Sequence, residues 1–162
     1  MGVGKSTTAE AVARAAGVPA FDSDIDIETV FGVTGGELAT EHGIDELHRI
    51  ESAMLLGRLA AAEPSVISAA ASIVDDERCH QALRQRATVV VLHAPIDEIL
   101  RRAATGSHRR MINRDELTAL ADRRAPRFAA VADLELDAER STSELVEAIA
   151  AIWPSVRGRT AD

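Results

Sequence analysis

A single lysine occurs in the 162 residues, and it sits in Met1-Gly2-Val3-Gly4-Lys5-Ser6-Thr7-Thr8. The other 17 of the 18 Lys and Arg residues are arginine. Gly4-Lys5-Ser6 closes a phosphate-binding loop of the form G-x-x-x-x-G-K-[ST]. Such a loop constrains the fold strongly. It follows a β-strand and opens onto a helix N-terminus, where successive backbone N–H groups cradle an anion. With Gly4 as the last glycine, the first would fall two residues before Met1, so the sequence starts inside the motif. The expectation is a natural chain that begins upstream, with a β-branched strand and that glycine.

The rest of the composition narrows the class. The hydrophobic fraction is 46%, enough for one domain with a real core, but aromatics are only 2%. That core must be built from Ala, Val, Leu and Ile. A net charge of -8 argues against a general nucleic-acid or membrane-surface protein. Cys79 is the only cysteine, which excludes an intrachain disulfide and a cysteine metal cluster. No run of about 18 apolar residues is present, and no leader pattern precedes the motif, so a cytoplasmic location is the default expectation; the oligomeric state is open, with a monomer favoured. His42, His80, His93 and His108 have no metal-ligand spacing. Eight arginines lie between Arg101 and Arg127, against Asp115, Glu116 and Asp122 alone. That excess reads either as an anion site or as a solvated helix face.

Helical and short extended segments alternate. Helices are expected over 6–16, 25–31, 36–42, 45–62, 76–86, 96–104, 113–130 and 141–153. Short strands are expected over 18–21, 65–70, 88–93 and 134–137. Ser141 with Glu144 makes a capping box, and residues 154–162 read as a frayed tail. The alternation implies a three-layer α/β domain with a parallel sheet, four strands visible and the first one missing.

Chemistry concentrates in two places. In the loop, Gly2, Val3, Gly4, Lys5, Ser6 and Thr7 would hold ATP, with Lys5 on the β/γ-phosphates and the Ser6 hydroxyl on Mg²⁺. After the first visible strand comes Asp22-Ser23-Asp24. If the backbone stays extended, both carboxylates point to one side. One can hold Mg²⁺ through water and the other can take a proton from an attacking hydroxyl. The plainer reading makes Asp24 the cap of the next helix.

From Gly2 to about Trp153 the chain resembles shikimate kinase, within the nucleoside-monophosphate-kinase-like branch of P-loop proteins. The resemblance rests on the loop, on Asp22 and Asp24, and on Glu46-Leu47-His48-Arg49-Ile50-Glu51 against a family E-F-R-x-x-E. It continues through Arg102, seven residues before Arg109-Arg110-Met111-Ile112, and ends with Arg123-Arg124-Ala125-Pro126-Arg127-Phe128. It implies one kinase domain over 1–153 with a small arginine-bearing lid near 103–113. Arg102 and Arg109 would contact ATP phosphates, Arg109 closing catalytically over the transferring group. Asp24 would bind the acceptor and act as base, and Asp22 would assist the metal. Arg124 would grip a carboxylate on a small anionic, hydroxylated acceptor, with no nucleic acid or membrane involved. The implied cofactors are ATP and Mg²⁺.

The acceptor side departs from the family. His48 stands where the family has its first arginine, and Arg49, one residue on, points about 100° away on a helix. Ala69-Ala70-Ala71 replaces three glycines, adding methyls and restricting φ. Arg110 replaces the lid proline. Residues 48, 49, 69, 70 and 71 therefore join Asp24 and Arg124 as acceptor-binding candidates of altered character. An ATP-dependent kinase for shikimate is the leading expectation. A kinase for another hydroxy acid, sugar acid or nucleotide is the alternative, together with a non-catalytic nucleotide-binding relative or truncated product.

Overall fold

The computed structural model describes residues 2–104 and 113–156. Arg109, Arg110 and nearly all of the expected lid lie outside the described residues, as do residues 157–162. The elements run α1 (Lys5–Ala16), β1 (Ala20–Asp22), α2 (Ser23–Phe31), α3 (Gly35–His42), α4 (Ile44–Ala60), β2 (Val66–Ser68), a 3₁₀ turn (Ala71–Asp75), α5 (Glu77–Arg86), β3 (Val90–His93), α6 (Ile96–Ala104), α7 (Arg114–Ala129), β4 (Leu134–Asp137) and α8 (Thr142–Val156). The four expected strands are all present. α8 continues three residues past Trp153, so the expected tail is shorter than 154–162.

Local chemistry sets the helix starts. Thr34 and Glu37 form a reciprocal capping box on α3. Asn113 Oδ1 accepts the Glu116 N–H at 2.8 Å to start α7. The box expected at Ser141 forms as well, with the Ser141 N–H donating to Glu144 Oε2 at 2.9 Å and the Glu144 N–H to Ser141 Oγ at 3.3 Å.

The strands alternate their side chains between two cores. Ile67 and Val89 join Leu55, Ile73, Val74, Cys79, Leu83 and Val131, under α4, α5 and α7. Val66, Val90 and Leu92 join Val12, Leu136, Leu145 and Ile149, under α1 and α8. A period of two thus separates the faces, and the result is helix, strand and helix in three layers. A third cluster of Ile27, Leu38, Leu47 and Ile50 ties α2, α3 and α4 into a helical annex beside the strand ends.

The strands do not form one sheet. β1 pairs in parallel with β2 (Ala20 opposite Val66), and β3 with β4 (Val90 opposite Leu134). Among the described residues β2 and β3 each have one open edge. A continuous cleft of about 2720 Å³ runs between them, lined by Val66, Ile67, Val90, Val91 and Leu92 and reaching the loop at Gly2–Ser6.

Candidate active site

The loop is built as a phosphate cradle. Gly2 and Gly4 have φ of 70° and 97°, left-handed values that a side chain resists. α1 then begins with no side-chain cap, which leaves its first N–H groups to a ligand in the loop. Lys5 opens the helix, and Ser6 and Thr7 follow at the same end. From α6, Arg102 reaches over the loop, Nη1 donating to the Val3 carbonyl at 3.4 Å and Nε to Glu98 Oε1 at 2.5 Å. The expected nucleotide-side residues within the described chain are therefore brought together.

Asp22 ends β1 beside this loop. Its Oδ1 accepts the Asp24 N–H at 2.9 Å and caps α2, so Asp22, not Asp24, is the cap. Its Oδ2 is buried with no hydrogen-bond partner among the described residues. Burial is the largest influence on this carboxyl and opposes ionisation. The Ser6 and Ser68 hydroxyls nearby, with the Asp24 and Ile25 N–H groups, outweigh it and leave the pKa below its ordinary value. An ionised, buried, unsatisfied carboxylate oxygen next to a loop serine fits the donor set that a hard divalent cation takes.

Asp24 does not share a strand face with Asp22. The strand stops at Asp22 and Asp24 lies in the first turn of α2, exposed and lining the cleft with Lys5. The expectation of alternation fails because the Asp22 cap turns the chain into a helix at Ser23, two residues earlier than the pattern implied.

The acceptor side is reshaped around His48 and Arg124, both of which line the cleft. Burial, and then the positive charge of Arg124, push the His48 pKa below its ordinary value. His48 is consequently neutral at pH 7, a hydrogen-bonding group and not a cation. Arg49, expected among the acceptor-binding residues, does not line the cleft, because one helical step from His48 turns it outward. It is 64% exposed and forks onto Glu46 at 2.8 and 2.5 Å. Ala69, Ala70 and Ala71 line the cleft, the first two packed against the core under α5. Ala70 has φ of -62°, so the backbone here does not need glycine.

Three residues that the sequence did not single out as site groups complete the pocket. Glu51 is 8% exposed and accepts a hydrogen bond from the Ser72 hydroxyl. Asp75, at the end of the 3₁₀ turn, accepts from Arg124 Nε and Nη2 at 2.9 and 2.6 Å. The Glu51 repeat within the 46–51 motif was a usable signal. Ser72 and Asp75 had none, since a five-residue 3₁₀ turn leaves no periodicity.

Burial, followed by the nearby Asp24 charge, raises the Glu51 pKa despite Ser72, Arg124 and Lys5. The raised value favours the protonated form in the fold. Its contribution to stability is full below the ordinary 4.5 and is lost as pH rises through the folded value. Glu51→Gln should therefore melt higher than the parent at pH 8 and equal to it below pH 4. An equal gap at both pH values would contradict this.

A glycine cradle, an ammonium at its mouth and a helix-borne carboxylate facing it are the parts that move a phosphoryl group onto a hydroxyl. The class defined is that of P-loop phosphotransferases with a hydroxyl acceptor. The family model for shikimate kinase matches residues 1–153, and the chain belongs to that family. The shikimate kinase of Xanthomonas campestris pv. campestris is 30% identical over 162 residues, covering 94% of this chain and 89% of the relative. Shikimate kinase from Acinetobacter baumannii in complex with shikimate shares the fold, with a TM-score of 0.87 at 23% identity over 96% of this chain and 89% of that one. The enzyme from Bacteroides thetaiotaomicron gives 0.82 at 26% identity, covering 95% and 94%.

Proposed function

We propose that this chain transfers the γ-phosphoryl group of ATP to a hydroxyl of shikimate. The observation that carries the reading is the meeting of Lys5, Asp24 and Arg124 on one cleft in a member of the shikimate kinase family. Asp24 accepts the proton of the attacking hydroxyl. Lys5 neutralises charge on the β- and γ-oxygens as the bond to the leaving ADP lengthens, and Arg102 holds the phosphates from above. Arg124 takes the acceptor carboxylate, and neutral His48 hydrogen-bonds the acceptor without adding charge. Arg109, outside the described residues, is assigned the contact with the transferring group by the family resemblance alone. Mg²⁺ would be held by Ser6 and Asp22, and would supply positive charge against the phosphate oxygens. The same reading places the enzyme in the cytoplasm, where ATP is at hand.

A second reading keeps the chemistry and changes the acceptor. It is favoured by the loss of cationic character at His48 and by the engagement of Arg124 with Asp75. ADP release measured with shikimate and with other hydroxy acids and sugar acids separates the two. Turnover of shikimate with the highest kcat/KM supports the first, and a higher kcat/KM for another acid supports the second.

A further inference from the structure

Arg124 is the buried side chain of α7, 7% exposed at the wall of the cleft, and its guanidinium already holds a carboxylate. Nε and Nη2 both donate to Asp75 Oδ2, so one edge of the guanidinium is taken up by a single carboxylate oxygen. The seat that an acceptor carboxylate would take is held by one from the chain itself. Asp75 has a second cation within reach. Its Oδ1 accepts from Arg127 Nη1 at 3.3 Å, and Arg127 is 47% exposed and lies outside the cleft. One turn of α7 thus offers Asp75 two partners, one facing the acceptor and one facing solvent.

We propose that Asp75 is a specificity-determining residue that competes with the acceptor carboxylate for Arg124 and passes to Arg127 when the acceptor binds. The inference rests on the acceptor role of Arg124 in the proposed reaction. The exchange is of ion pairs alone, with no bond made or broken. Its consequence is a weakened grip on carboxylate-bearing acceptors. Acceptors that lack the negative charge gain nothing from Arg124 and lose nothing to Asp75.

The test compares the parent chain with Asp75→Asn and Asp75→Ser, using shikimate and its methyl ester as acceptors. Asparagine keeps the shape and a hydrogen bond to Arg124; serine removes both charge and reach. Thermal unfolding of each variant verifies the fold. The expected result is a roughly tenfold lower KM for shikimate in both variants, with kcat and the KM for ATP within about twofold and no change for the ester. An unchanged or higher KM for shikimate, or an equal gain for the ester, overturns the proposal. Equilibrium titration of shikimate reads the same ratio without turnover. Absent ADP release with a tightened dissociation constant then counts against the reaction alone, and an unchanged ratio with normal ADP release counts against Asp75 alone. No binding by any of the proteins overturns both.

Discussion

Lys5→Met is expected to lower kcat by about 10²–10³-fold, the cost of removing one preorganised positive group from the developing phosphoryl charge. Methionine keeps the length and the apolar stem of the side chain, so the change isolates the ammonium. Lys5 opens α1 after Gly4, whose left-handed φ of 97° turns the loop back on itself, and it lines the cleft with the loop. The side chain is only partly buried. The loss should fall on phosphoryl transfer, with the fold retained. The measurement is kcat under saturating ATP and acceptor, with circular dichroism melting as the control. Activity within threefold of the parent would mean that the ammonium does not meet the transferring group.

The other large effect is expected at Asp24. Asp24→Asn should lower kcat by about 10²–10⁴-fold, the range for loss of a positioned general base. The backbone N–H of residue 24, which donates to Asp22 Oδ1 at 2.9 Å, is kept by the substitution, so the cap of α2 survives. Asparagine also keeps a hydrogen-bonding group toward the acceptor, and its binding should weaken by less than the rate. ATP affinity should stay within about twofold, because the nucleotide contacts lie on the loop and α6. Single-turnover measurement of phosphorylated acceptor separates this from slow product release. A kcat within a few-fold of the parent would move the base to another group, and buried Glu51 would be the next one to test.

Much of this site was legible in order along the chain, and what was not has a physical cause. The loop, Lys5 and Ser6 follow from a motif whose backbone geometry is local. α6 over Ile96–Ala104 and β4 over Leu134–Asp137 match their sequence patterns. Arg49 was carried as an acceptor-binding candidate although one helical step of about 100° from His48 already turned it away from the cleft. Asp24 was placed on the face of Asp22 because alternation was carried two residues beyond the cap that ends β1. The Asp75–Arg124 pair joins residues 49 apart, and no local pattern signals a contact made only by folding. His48 stands where the family has an arginine, and burial with the neighbouring Arg124 holds its pKa below the ordinary value, which only the fold reveals. The division of the strands into two pairs was hidden for the same reason. Each strand reads as buried from its own composition, while its partner is chosen in three dimensions.

The most direct test of phosphoryl transfer to shikimate mixes this protein with Mg²⁺, ATP and shikimate and follows both products, ADP by a coupled assay and phosphorylated shikimate by mass spectrometry. The expected result is equimolar ADP and monophosphorylated shikimate, with both lost in Lys5→Met. ATP consumed without phosphorylated shikimate, or no turnover at saturating concentrations of both substrates, would contradict it.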